Sequence, residues 1–274
     1  MCRFPVTRRI LLVGLASVVL VAARPTVADD GEDILRAGRE MLVEGRYDVA
    51  LILFLRAERA MGLTDAMHRR ARDGLTEAYV GRGRNATARG RYDAAEADFA
   101  RALAVRPGNE AARRSRAQNF VARGQLLFMK GRYARSVADY TAAIESGSLA
   151  VSDLGTAYFL RARSLQRTGR DGNAVLDYKR AIATGNLSSK IRARAYYARG
   201  LYFGGYMRLH RAIVELSAAL KADPRFADAY YHRGRILAIK GQRAAAMADF
   251  RRALALDPGK RQARDMLRRL MKAR

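Results

Sequence analysis

The side chains that most often carry chemistry are scarce in this chain. Its 274 residues contain one cysteine and three histidines. His68, His210 and His232 are too few and too scattered for a multi-histidine metal site, and neither His210 nor His232 has a second histidine at ligand spacing. Both read as surface or groove residues. Cys2 alone provides neither a disulfide framework nor a thiolate zinc cluster. Glu96 and Asp98 lie two apart on a helical segment, so they face differently and are not an acid/base pair by local geometry. A carboxylate pair assembled across distant segments stays open. Gly81-Arg82-Gly83 is rich in glycine, but it falls inside a helical segment and reads as close helix packing, not as a phosphate cradle. There is no P-loop, nucleophile elbow, zinc-protease helix or dinucleotide fingerprint. The expectation is a non-enzyme with no catalytic residues, no cofactor and no metal.

What the chain has in abundance is arginine. Lysine and arginine total 52 against 26 acids, a formal charge of +26, and hydrophobic residues make up 50%. That apolar content is enough for a folded core and excludes wholesale disorder. The excess is uneven. Lys179 to Lys221 holds nine basic residues and one acid, Glu215; Arg101 to Arg135 holds nine, with only Glu110 against them. Such stripes attract polyanions. Arginine outnumbers lysine 45 to 7 and alanine is abundant, so the codon bias of a GC-rich genome is a competing explanation.

The first residues read as a targeting signal. Arg3, Arg8 and Arg9 precede the apolar run Ile10–Ala23, 14 residues long. A bilayer-spanning helix needs about 20. Thr26-Val27-Ala28 then supplies a signal-peptidase site, giving a secretory signal over residues 1–28. The expected location is the periplasm; the alternative is an inner-membrane anchor over residues 10–23 with the rest facing the periplasm. Cleavage would remove four arginines and Cys2, leaving 48 basic and 26 acidic residues, a formal +22.

The remainder repeats itself. Glu44-Gly45-Arg46-Tyr47-Asp48 recurs as Arg89-Gly90-Arg91-Tyr92-Asp93 and Lys130-Gly131-Arg132-Tyr133-Ala134, with weaker copies at Thr168-Gly169-Arg170-Asp171 and Lys240-Gly241-Gln242-Arg243. A small residue stands seven positions before each turn: Gly38, Gly83, Gly124, Ala162 and Gly234, with Gly200 in the copy whose turn is Gly204-Gly205-Tyr206. After each turn come a large residue and an alanine three on: Phe54/Ala57, Phe99/Ala102, Tyr140/Ala143, Tyr178/Ala181, Leu216/Ala219 and Phe250/Ala253. Pro107, Pro224 and Pro258 each follow that large residue by eight positions and mark helix stops.

This pattern resembles the tetratricopeptide repeat family. On its frame six units begin near residues 31, 76, 117, 155, 193 and 227, covering Gly31 to Pro258. The last two are 34 residues apart; earlier spacings of 45, 41, 38 and 38 imply insertions, read as longer first helices capped by Thr64-Asp65, Asn109-Glu110, Ser152-Asp153 and Ser188-Ser189. The resemblance implies an all-α, right-handed superhelical solenoid of about six helix hairpins over residues 29–259. Residues 260–274 then form a capping helix with Ala263, Met266, Leu267, Leu270 and Met271 as its apolar stripe.

The family generally binds peptides or partner proteins on the concave face lined by its first helices. Carried over by repeat position, that groove takes in Arg39, Arg84, Gln125, Phe128, Phe159, Arg163, Arg194, Leu201, Tyr197, Tyr231 and Arg235. Phe159 and Arg163, like Tyr231 and Arg235, are one helical turn apart and are expected to be neighbours, an arrangement suited to a carboxylate attached to an apolar group. One family variant clamps a C-terminal carboxylate with a Lys-Asn-Asn-Lys-Arg set; Leu35 and Arg39 stand at two of those places, so that clamp is not supported. The implied function is a protein–protein scaffold or adaptor of a bacterial-type cell envelope, with an acidic protein segment as partner. The alternative is a protein that binds anionic lipid or acidic envelope polymer through a basic stripe: Lys179, Arg180, Lys190, Arg192, Arg199, Arg208, Arg211 and Lys221. Nucleic acid is disfavoured by the export signal.

Overall fold

The structure is a computed structural model that describes residues 29–60 and 62–272. The segment read above as a targeting signal, with Cys2 and Ile10–Ala23, lies outside the described residues. The described chain is a succession of helices paired as hairpins. These are α1 (Asp29–Val43) with α2 (Tyr47–Arg59), α3 (Asp65–Ala88) with α4 (Tyr92–Val105), α5 (Glu110–Met129) with α6 (Tyr133–Glu145), α7 (Val151–Arg167) with α8 (Asp171–Ala183), α9 (Ser189–Gly205) with α10 (Leu209–Ala222), and α11 (Ala227–Ile239) with α12 (Arg243–Leu256). A final helix, α13 (Arg261–Lys272), packs on α12.

Each hairpin closes on one contact. The large residue of the second helix is almost completely buried in all six units, and the small residue of the first helix lies directly against it. A methyl group added at Gly38, Gly83, Gly124, Gly200 or Gly234 would sit 2.7–2.9 Å from Phe54, Phe99, Tyr140, Leu216 or Phe250 respectively. Real carbon atoms do not approach so closely, so glycine sets the helix separation here at the cost of some helix propensity. The fourth unit uses Ala162 against Tyr178, whose hydroxyl donates to Gln166 Oε1 at 2.6 Å.

The turns share one geometry. In the first, Gly45 has φ +71°, its N–H bonds to Leu42 O at 3.0 Å, and the Arg46 N–H bonds to Met41 O at 2.8 Å. This is the Schellman cap, in which a left-handed residue satisfies the last carbonyls of the first helix. The pattern recurs at Gly90, Gly131, Gly169 and Gly241, and in the fifth unit with Met207 in the left-handed position.

Helix starts follow the sequence at three of four places. The Thr64 hydroxyl accepts from Met67 N, Asn109 Oδ1 from Ala112 N, and the Ser188 hydroxyl from Ile191 N. The fourth differs: α7 begins two residues early, after the extended Ala150, and Ser152-Asp153 lie inside it. At the prolines, the preceding residues Arg106, Asp223 and Asp257 are extended with φ between −137° and −140°. Proline's ring forbids the helical conformation to the residue before it.

The stack curves in a definite sense. First helices touch one another in succession, α1 with α3, α3 with α5, α5 with α7 and α9 with α11, whereas no comparable contact joins the second helices. The first helices therefore line the inner face. At the far end α13 buries Ala263 and half-buries Met266, Leu267 and Leu270, while Met271 points to solvent. Among the described residues, no helix is long and apolar enough to cross a membrane.

Candidate partner-binding groove

The residues at the ninth position of each unit, Arg39, Arg84, Gln125, Arg163, Leu201 and Arg235, are exposed in every unit. Their contacts run between successive first helices. Arg84 Nε donates to the Ser115 hydroxyl at 2.9 Å, joining α3 to α5, and the Arg163 guanidinium lies 4.7 Å from the centre of the Phe128 ring, joining α7 to α5. They form a row along the inner face, spaced by the repeat, with Arg194 exposed at the second position of the fifth unit.

The partner of Arg163 is not the one expected. Phe159 is 5% exposed and packs on Tyr178 at 5.7 Å, inside its own hairpin. The cation–π contact is made instead across the unit boundary to Phe128, which also meets Tyr133 edge-on at 5.2 Å. Tyr231 and Arg235 do lie together, at 5.8 Å.

The last two units gather an aromatic cluster that sequence reasoning only half assembled. Tyr197 on α9 packs tilted against Phe226 at 4.8 Å and meets His232 edge-on at 5.6 Å; Tyr231 meets His232 at 4.9 Å. Arg235 and Lys260 flank the Tyr231 ring, and Lys260 pairs with Asp228. His232 was read as a surface or groove residue, without its aromatic partners. Phe226 was missed, because it precedes its unit and belongs to no repeat position. Among the described residues no group of three His, Cys, Asp or Glu is placed to hold a metal.

Burial, reinforced by Arg235 and Lys260 and opposed by Asp228, pushes the His232 imidazole down to about 4. Its folded value is therefore below its unfolded one, so it contributes stability above about pH 6.5 that is lost as pH falls towards 4. The expected loss is up to about 3 kcal/mol. Urea unfolding from pH 7 to 4 should show that loss, and His232→Phe, which keeps a ring in place, should remove this part of the slope.

A second constellation recurs through five of the six units. Arg82, Arg123, Arg161 and Arg233 on first helices each grip an aspartate sixteen residues later on the second helix, Asp98, Asp139, Asp177 and Asp249, through two hydrogen bonds of 2.6–2.9 Å. The other guanidinium nitrogen reaches back to the preceding unit, to Asp48, Asp93, Thr141 or Ser217. The fifth unit has Arg199 and Glu215, which keep one contact of 2.7 Å and leave Arg199 Nε and Glu215 Oε2 buried without partners. The longer glutamate overreaches the two-point grip, and burial raises its carboxyl pKa against the pull of Arg199. The first unit has Ala37 and Leu53 at these places. The signal was present as Arg-x15-Asp, but it joins two helices across a turn, where neither a helical nor a strand period looks.

Two clefts lie over this ladder. One of about 640 Å³ is lined by Tyr47, Asp48, Arg82, Arg91 and Asp98, and another of about 340 Å³ by Arg161 and Asp177. Both are away from the inner row. The basic stripe is likewise resorted. Arg180 is bound to Asp177 and Arg199 to Glu215. Lys190 opens α9 and Lys221 closes α10, while Arg208 and Arg211 sit at the turn between them. At about 1.5 Å per residue, the 17-residue α9 separates these ends by roughly 25 Å.

Residues 121–189 and 227–260 each match a tetratricopeptide repeat model. These two stretches carry tetratricopeptide repeats. No curated protein matches it in sequence. Among solved structures, YrrB, described as a TPR protein with an unusual peptide-binding site, superposes with a TM-score of 0.53 at 18% identity, over 70% of this chain and 91% of its own. MamA superposes at 0.50 with 20% identity, over 69% and 96%. Pseudomonas aeruginosa pilF superposes at 0.51 with 11% identity, over 88% and 98%. Likeness at these identities is a likeness of fold. The tetratricopeptide architecture is that of a protein–protein interaction scaffold, which is the level at which the earlier expectation holds.

Proposed function

We propose that this tetratricopeptide protein is an exported, non-enzymatic adaptor of a bacterial cell envelope that holds a segment of a partner protein along its inner face. The observation that carries the reading is the inner row of exposed arginines ending in the Tyr197–Phe226–Tyr231–His232 cluster. Guanidinium groups beside ring faces favour a carboxylate next to an apolar side chain, because the ring holds the guanidinium in place and packs on the apolar group while the fork binds the oxygens. The partner segment is therefore acidic and apolar in alternation. Export rests on Arg3, Arg8, Arg9, the run Ile10–Ala23 and the Thr26-Val27-Ala28 site.

The test is capture of envelope proteins on the purified protein, washed at low and then high salt, with the N-terminal residue of the envelope-borne protein read alongside. A protein retained at high salt by the parent and lost with Arg163→Ala plus Arg235→Ala supports the groove. A chain beginning at Asp29 supports cleavage. Complete loss at high salt would point to charge alone, since exposed ionic contacts are screened. Retention by the double variant would remove the inner arginines from the site.

A further inference from the structure

We propose that the edge of the solenoid formed by its hairpin turns is a docking surface for an anionic phospholipid bilayer. All six first-to-second-helix turns lie on one edge, because each joins helices of a parallel stack. In three of the six units that edge carries an exposed large apolar side chain at the same place. Val43, Met129 and Ile239 stand two residues before the left-handed glycines Gly45, Gly131 and Gly241, and are 90%, 75% and 54% exposed. In the fifth unit the exposed pair Tyr206 and Met207, at 64% and 65%, forms the turn itself.

Met207 is the most telling of these. Its φ of +55° occupies the place that glycine takes in the other five turns, with φ of +71° to +77°. A side chain there opposes the backbone's own preference. Strain retained at an exposed turn marks a place where the side chain is wanted. Cations frame the apolar tips. Lys130, Arg132 and Arg135 surround Met129; Arg208 and Arg211 follow Met207; Lys240 and Arg243 flank Ile239. The turns of these three units carry no acid, whereas those of the first, second and fourth carry Glu44 and Asp48, Asp93, and Asp171.

Apolar and aromatic tips ringed by Lys and Arg match the interface of an anionic membrane, where the tips enter the acyl boundary and the cations meet headgroups. The protruding tips fit a plane, and the clefts between turns, such as the one lined by Gly131, Arg132, Arg135 and Thr168, leave room for headgroups beside the cations. The surface is separate from the inner groove, so a docked protein would keep that groove open to a partner.

The full chain contains no tryptophan, so Tyr206→Trp creates a single local reporter, independent of whatever residues 1–28 do. On adding phosphatidylglycerol vesicles, its fluorescence should shift to the blue and be quenched by brominated acyl chains, with little change in phosphatidylcholine. Leu176→Trp, on the exposed outer helix face, should show neither change. Neutralising Arg132, Arg208 and Lys240 to glutamine should weaken partitioning about fivefold per residue. Met207→Gly should weaken it as well while raising the melting temperature, a pair of opposite signs that a merely structural role would not give. No shift at position 206, an equal shift in phosphatidylcholine, or an equal shift with soluble polyglutamate would each overturn the proposal, the last in favour of an acidic protein partner.

Discussion

Phe99→Ala is expected to lower the unfolding free energy by about 3–5 kcal/mol. Phe99 is fully buried between α3 and α4, and its ring fills the space that Gly83 leaves. Truncation removes the transfer energy of the ring and leaves a cavity that neighbouring units cannot close, because each is held by its own glycine contact. The reverse error is costly as well. Gly83→Leu would drive a side chain into the ring that already lies 2.7 Å from a Cβ at that place. Overpacking of this kind typically costs about 1–3 kcal/mol or more. Neighbouring repeats support each other, so local loss should spread to the adjoining units before the far end of the stack. Urea unfolding followed by circular dichroism checks the size of the effect, and hydrogen exchange its spread. A change below about 1 kcal/mol for Phe99→Ala would mean that the glycine–aromatic contact does not set the hairpin.

The second large effect concerns the ladder. Asp177→Leu should destabilise the protein by about 3 kcal/mol, since it leaves the Arg161 guanidinium partly buried without its two-point partner. Adding Arg161→Ala should recover most of the loss. The first unit already makes this exchange, with Ala37 and Leu53 at the equivalent places. A buried ion pair is costly to break and cheap to replace, because the desolvation of both charges offsets most of their attraction. The double variant should nevertheless loosen the joint between the third and fourth units, where Arg161 also donates to the Thr141 hydroxyl at 3.1 Å. A double variant as unstable as the single one would show that the ladder supplies net stability, not alignment.

Much of this architecture was legible in the sequence because it rests on residues with one physical meaning each. Gly38, Gly83 and Gly124 mark close approach, Phe54 and Phe99 mark what approaches, and Pro107, Pro224 and Pro258 mark stops. What escaped depends on direction and on partners. Phe159 shares its repeat position with Tyr197 and Tyr231, and like Tyr231 against Phe250 it packs on the core aromatic of its own hairpin, but it is buried there while the two tyrosines stay half-buried. Met271 continues an apolar stripe in sequence, but the short last turn of α13 has nothing left to cover. The stripe from Lys179 to Lys221 looked continuous because sequence distance ignores the reversal between α9 and α10. Folded, its cations belong to two opposite edges and to the ladder.

The central claim is that a partner segment lies along the inner row. A photo-cross-linking amino acid placed at Leu201, exposed on α9 between the aromatic cluster and the arginine row, tests it most directly, with Leu176 on the outer face as the control. The account predicts that the protein retained at high salt cross-links through position 201 and not through 176, and that Arg235→Ala weakens the cross-link. Cross-linking through 176 alone would contradict it, and would move the partner to the outer helices.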